Sequence, residues 1–286
     1  MKIIRSIVAM QAEARGIRQA GRRIGFVPTM GCLHEGHLAL IRKARELADC
    51  VVVSIFVNPT QFGPQEDYTA YPRDLERDAC LCSREGVEIV FHPDVAEMYP
   101  AGHGSVFVDE KELSAGLCGP FRPGHFRGVL TVVAKLFNIV QPDVAVFGQK
   151  DAQQARLVQE MVYDLNFPVQ IVVMPTVREP DGLAMSSRNT YLSETERRQA
   201  SCLYRALCRA RELYDAGVRD SASLRAAMLA TIAAAPAARV EYIEIVDVDR
   251  LKPLDVIAGK ALVAICVRIG AARLVDNIVL DPSLCS

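Results

Sequence analysis

The sequence predicts an α/β protein: a Rossmann-like, doubly wound parallel sheet followed by a second, smaller α+β domain. Strand-length apolar runs alternate with amphipathic helical segments from Arg23 to about Val173, the pattern a parallel sheet with right-handed helical crossovers requires. One run, Cys50-Val-Val-Val-Ser-Ile-Phe-Val57, is apolar on both faces, as in the centre of such a sheet. After about Tyr191 the texture changes to helices followed by three strands. The predicted domains are therefore 1–189 and 190–286, joined at Thr190–Ser193, with the smaller one covering the site of the larger.

Taken in order, Ile7 to Arg18 is helical and Gly21 ends that helix. Arg23 to Val27 is a short apolar strand ended by Pro28, and Met30-Gly31 makes a tight turn. From His34 onward, Leu38, Ile41, Ala44, Leu47 and Ala48 recur at helical spacing. Cys50–Val57 is the central strand, Leu75–Arg84 a helix and Val87–Phe91 a strand. An insertion rich in glycine and proline runs from His92 to Gly128, with a short strand at Val106–Val108. Val129–Val140 is a helix, Val144–Phe147 a strand, Asp151–Leu165 a helix and Val169–Val173 a strand. Ser193-Glu-Thr-Glu196 is a capping box opening a helix through Leu213, and Leu224–Ala234 is an alanine-rich helix. Tyr242–Val246, Ala261–Ile269 and Arg273–Leu280 are strands, the last two a hairpin across Gly270-Ala271.

Composition narrows the function. Of 286 residues, half are hydrophobic and 23% charged, with a formal charge of −1, so no electrostatic footprint for nucleic acid or an anionic membrane exists. The longest apolar runs, Val51–Val57 and Ala261–Val267, are far too short to span a bilayer. The N-terminal stretch Met1 to Ala9 carries charge inside its apolar run and lacks a signal-peptide core. Nine cysteines, without CxxC spacing or a zinc pattern, read as free thiols in a reducing cytoplasm.

Ligands of open α/β sheets bind beyond the carboxyl ends of the strands. That selects four loops: Pro28–His37, Asn58–Asp67, Gly148–Gln154 and Val177–Asn189. His34 and His37 share the first turn of a helix, where unpaired N–H groups and the macrodipole seat phosphate. One surface histidine there would be ordinary; two, after a strand and flanking Gly36, point to phosphate contact. Met185-Ser-Ser-Arg188-Asn189 offers two hydroxyls and a guanidinium to phosphate oxygens, on a loop able to close as a lid. Lys150, Asp151 and Gln154 share a helix face by spacing, Lys150 to reach phosphate and Gln154 to offer an amide to a small polar substrate. Asn58 and Gln61 form a carboxamide pair suited to hydroxyls and a carboxylate. Arg122, His125 and Arg127 form a positive group that either seats an anionic substrate or caps a helix.

Together, Pro-Thr-Met-Gly-x-Leu-His-Glu-Gly-His, Val-Asn-Pro-Thr-Gln-Phe-Gly, Arg-Pro-Gly-His-Phe-Arg-Gly, Phe-Gly-Gln-Lys-Asp and Met-Ser-Ser-Arg-Asn resemble the pantothenate synthetase (pantoate–β-alanine ligase) family. That family lies within the HxGH nucleotidyl-transferase and class I synthetase superfamily, and the resemblance spans essentially the whole chain. It implies an ATP site lined by Met30, Gly31, Cys32, Leu33, His34, Glu35, Gly36 and His37, with the histidines on the phosphates and no separate role for Cys32. Gly148, Gln149, Lys150, Asp151, Val177, Met185, Ser186, Ser187 and Arg188 would complete it. Gln61 and Gln154 would hold pantoate, with Asn58 beside them, and Gln61 would also lie near β-alanine. Where related synthetases carry Lys-Met-Ser-Lys-Ser this chain has Ala184-Met-Ser-Ser-Arg, so its basic group is Arg188.

The implied reaction activates pantoate as pantoyl adenylate, releasing pyrophosphate; β-alanine then displaces AMP to give pantothenate. His34, His37, Lys150 and Arg188 would be the catalytic charge stabilisers, with Mg²⁺ carried on the ATP phosphates and no metal held by the protein. The resemblance also implies a homodimer, with small molecules as the other partners. Three rival readings have distinct signatures. A nucleotidyl transferase would need no amine. A class I aminoacyl-tRNA synthetase would need a tRNA surface, which the balanced charge does not provide. A non-catalytic nucleotide-binding module would bind ATP without turnover.

Overall fold

β-Branched runs backed by helices with one apolar face assemble into a parallel sheet in the computed structural model, which describes residues 1–64, 66–101 and 104–282. Contacts group the chain into two units. The first holds Met1–Lys111, Arg122–Gln149 and Gln154–Pro175; the second holds Glu112–Phe121, Lys150–Gln153 and the chain from Thr176 onward.

In the first unit β1 (Lys2–Ile4), α1 (Ile7–Gln19), β2 (Ile24–Thr29), α2 (Glu35–Leu47), β3 (Cys50–Ile55), α3 (Leu75–Arg84), β4 (Ile89–Phe91) and α4 (Val95–Met98) follow in sequence. Then come α5 (His125–Val140), β5 (Val144–Gly148), α6 (Ala152–Asp164) and β6 (Gln170–Met174). The strands are all parallel, in the order β1-β4-β3-β2-β5-β6. β3 is buried along its whole length, which only a strand covered on both faces can be. α2 lays Leu38, Ile41 and Ala44 onto Val27, Val51, Val53 and Val146; each large side chain so buried contributes roughly 1.5–3 kcal/mol. Strand order reverses at β2, with β3 and β4 to one side and β5 and β6 to the other. The topological switch point, where ligands of such sheets bind, therefore lies at the carboxyl ends of β2 and β5.

The second unit has α7 (Glu194–Ala200), α8 (Cys202–Asp215) and α9 (Ser221–Ile232), then β7 (Ala238–Asp247), β8 (Ala261–Ile269) and β9 (Ala272–Leu280). The three strands form an antiparallel sheet in that order. β8, the middle strand, exposes only Arg268. The helices pack Leu203, Leu207, Tyr214, Leu224 and Met228 against Val263 and Ile265.

Four local expectations change. Pro28 does not end its strand: β2 continues to Thr29 in register with β3. β5 pairs only with Gly25 and Phe26, so by Pro28 the strand has a single neighbour and a missing N–H breaks no second ladder. Val106–Val108 is not a strand; Val106 is 86% exposed and the Val108 N–H donates to the Thr131 hydroxyl. The helix expected from Val129 starts at His125. The helix expected through Leu213 is two, α7 and α8, jointed where the Ser201 hydroxyl donates to the Arg198 carbonyl, a local bond that competes with the helical ladder.

Candidate active site

The loop after β2 is shaped from beneath. The Thr29 hydroxyl donates to the Ser54 carbonyl (2.8 Å) and accepts from the Gly31 N–H (3.1 Å). The buried Asp78 carboxylate of α3 accepts from the Cys32 and Leu33 N–H groups at 2.7 and 2.8 Å. Burial pushes this carboxyl up and the two amides pull it back. Gly31 has φ +82°, and a Cβ there would meet Asp78 at 2.9 Å, so the turn demands glycine. Burial, then the Asp78 charge, push the Cys32 thiol up, keeping it protonated at neutral pH. Leu33 is core, and Glu35 pairs with Arg42. A cavity of about 390 Å³ adjoins the loop, with Met30, Gly31, Asp78 and His92–Val95 in its wall; His34 and His37 lie outside it.

His34 is the N-cap of α2 and His37 its third residue. His37 Nδ1 accepts the His34 backbone N–H at 3.3 Å, and the two rings lie 4.1 Å apart. A neutral imidazole whose Nδ1 accepts carries its proton on Nε2. That proton lies in the first turn of α2, where the positive end of the helix dipole favours an anion.

The loop after β3 is held by α5. Asn58 Nδ2 donates to Gln61 Oε1 and to the Gly128 carbonyl, both at 3.1 Å, while its Oδ1 accepts from Tyr99 (2.9 Å) and Thr60. Gln61 Nε2 contacts Met30 Sδ at 3.2 Å, joining this loop to the first. A Cβ on Gly128 would lie 2.3 Å from the Thr60 carbonyl oxygen, so α5 approaches the turn closely only because that residue is glycine. The positive group is not free for substrate: Arg122 forks onto Glu66 at 2.7 and 2.6 Å and reaches His125 Nε2 at 2.8 Å. With Nε2 accepting, His125 Nδ1 donates to the Gln61 carbonyl at 2.8 Å. Arg127 stacks on Phe107. Arg122 and His125 thus brace the backbone of Gln61.

In the second unit, Lys150 and Asp151 occupy a 3-10 turn that runs into α6 rather than the helix itself; Gln154, in the first unit, is half-buried. Lys150 Nζ stands 3.4 Å from Asp151. Gln153, which the sequence did not single out, donates to the Leu113 and Gly116 carbonyls and accepts from the Cys118 N–H. Val177 and Met185 close a narrow hairpin, the Met185 N–H donating to the Val177 carbonyl at 3.0 Å. Gly182, φ +89°, turns it beneath Tyr204; Arg197 grips Glu179 and Asp181. The Ser186 hydroxyl accepts from the Arg188 N–H and caps the turn Ser187–Tyr191.

Sequence reasoning missed Asp78, Tyr99, Gln153, Asp276 and Asn277. Asp78 had a signal, a carboxylate at helical spacing from Leu75 and Cys82 on an otherwise apolar face; the others are ordinary letters until the fold places them.

A family model described as pantoate-beta-alanine ligase matches residues 2–279. The chain belongs to the pantoate–β-alanine ligase family. A pantothenate synthetase of Heliobacterium modesticaldum is 57% identical to it, over 98% of this chain and 100% of that protein, and one of Moorella thermoacetica is 56% identical, over 98% and 99%. The crystal structure of pantothenate synthetase from Thermus thermophilus matches with a TM-score of 0.92 at 47% identity, covering 97% of this chain and 99% of that one. A pantoate-beta-alanine ligase from Francisella tularensis, complexed with Beta-gamma ATP and beta-alanine, matches at 0.80 and 36% identity over 98% and 97%. The ligase consumes ATP, joins pantoate to β-alanine through an amide bond and releases AMP and pyrophosphate.

Proposed function

We propose that Met30–His37 hold the ATP phosphates, that Asn58, Gln61 and Gln154 hold pantoate, and that Lys150 and Ser186–Arg188 stabilise phosphate charge as pantoyl adenylate forms. Gly148, Gln149, Asp151 and Val177 complete the nucleotide contacts in this reading. The observation that carries it is the His34–His37 pair at the first turn of α2: the His34 N–H donates to His37 Nδ1, so a neutral His37 carries its proton on Nε2 at a helix N-terminus, where an anion is favoured. A pantoate carboxylate oxygen attacks the α-phosphorus, and the bond to the β-phosphate breaks with loss of pyrophosphate. The β-alanine amine then attacks the acyl carbon, and the carbon–oxygen bond to AMP breaks. The attacking carboxylate is already ionised, so the first step needs no general base; positioning and charge stabilisation do the chemistry.

Mg²⁺, when bound, neutralises phosphate charge. Met30–His37 offers two imidazoles, a thioether, the Cys32 thiol, backbone amides and one carboxylate, Glu35, which is paired with Arg42. In this proposal the ion rides on the nucleotide's own phosphates. A homodimer is part of the same proposal, to be checked by sedimentation. The eight described cysteines are all free, which supports a reducing compartment, and no described helix is long and apolar enough to cross a membrane.

Substituting His34, His37 or Lys150 by alanine is expected to cut pantoate-dependent pyrophosphate release from ATP by roughly 10²–10³-fold each, without unfolding the protein. Rates near wild type in all three variants would sink the assignment.

A further inference from the structure

Two consecutive residues of β9 hold both segments of the second unit that the proposed mechanism uses. Asp276 and Asn277 are only 2% and 4% exposed. Asp276 receives a two-pronged guanidinium from Arg178, at 2.6 and 3.0 Å. Arg178 also donates to the Gly182 carbonyl at 3.0 Å and bridges Ala184 across the hairpin. Fixing Arg178 therefore fixes Met185, where the Met-Ser-Ser-Arg segment begins. From the next position, Asn277 Nδ2 donates to the Lys150 carbonyl at 3.0 Å.

β9 is an edge strand, and a charge buried on an edge has an ordinary explanation as a guard against strand pairing. That explanation does not account for where these bonds go. Asn277 spends its amide on a peptide 127 residues away, and the Arg178 fork closes a separation of 98. Both lead to the segments proposed above to act on phosphate. The strand itself is held in register with β8 from Ala272 to Leu280, and adjacent anchor points on it stand about 3.8 Å apart. Burial raises the Asp276 carboxyl; Arg178, the Asn277 amide and the Lys150 charge pull it back, so the Lys150 ammonium lies within electrostatic reach of the same strand.

We infer that Asp276 and Asn277 are positioning residues for adenylate formation, with β9 acting as one ruler that sets Lys150 against the Met185–Arg188 segment. The inference rests on the proposal that Lys150 and Arg188 act on phosphate. A site loosened by an ångström loses about 10²-fold in rate even when the altered residue touches no substrate.

Pyrophosphate release from ATP and pantoate tests it. Asn277→Ala is expected to lower kcat by roughly 10- to 100-fold, with KM for pantoate within about twofold, since no proposed pantoate contact depends on Asn277. In a Lys150→Ala background the same change is expected to cost nothing further, because there is no ammonium left to position. An unchanged kcat in folded Asn277→Ala, a loss confined to KM, or a full additional loss in the double variant would overturn the inference. If Lys150→Ala alone keeps the wild-type rate, the phosphate role of Lys150 fails, and the single variant shows that separately. Should Asn277→Ala not fold, Asp276→Asn keeps the side-chain shape and carries the same test against Arg188→Ala, with the same kcat loss and non-additivity expected and their absence overturning it.

Discussion

At the scale of single residues, the groups proposed to touch ligand and those that shape the loops carrying them announce themselves differently. His34, His37, Gln61 and Lys150 stood out because polar groups at strand ends have few structural uses. Asp78 did not, although the loop depends on it as much. Its two oxygens each take a backbone amide, from Cys32 and Leu33. Asp78→Asn keeps the shape but turns one acceptor into an NH₂ facing an N–H, leaving one buried donor unpaired. The expected cost is about 1–3 kcal/mol of stability, together with slower adenylation as Met30–His37 shifts. Denaturant unfolding alongside pyrophosphate release measures both; a variant as stable and as active as wild type would show that the loop shapes itself.

At the scale of elements, the parallel strands and their helices were legible because burial on both faces leaves unbroken apolar runs, as in Val51–Val53, and amphipathic periodicity, as in Leu38–Ala44. Element ends were less legible. α5 begins at His125 because Gly124, at φ +77°, serves as its N-cap, and a glycine-rich stretch gives no sign of which glycine will do so. The approach of α5 to the Asn58–Gln61 turn was invisible for the same reason: it depends on what Gly128 lacks. Gly128→Ala would drive a Cβ into the Thr60 peptide, at a cost of about 1–3 kcal/mol, and displace Gln61. KM for pantoate is expected to rise more than kcat falls. An alanine variant with wild-type KM and melting temperature would mean that the turn yields freely.

At the scale of the whole molecule, each unit has a partly buried carboxylate held by arginines, and acid should find both. Burial raises Glu66, but the Arg122 hydrogen bonds and charge outweigh it and hold the carboxyl below its ordinary value. Burial likewise raises Glu241, and Arg273 and Arg268, with the Cys266 thiol, bring it below. A carboxylate whose folded pKa lies below its unfolded value, near 4.3 for glutamate, stabilises fully above that value. It loses that contribution as pH falls through the folded pKa, because the unfolded chain takes up the proton first. Asp78 and Asp276 are raised and act in the opposite sense, so the slope belongs to the two glutamates rather than to every buried acid. The melting temperature is therefore expected to fall as pH drops below about 4.5. Glu66→Gln and Glu241→Gln should each lower it near pH 7 and flatten that fall, a gap from wild type that closes in acid. Calorimetric scans between neutral pH and the carboxylate range decide the matter: variants whose melting curves run parallel to wild type across the range would place the acid-sensitive groups elsewhere.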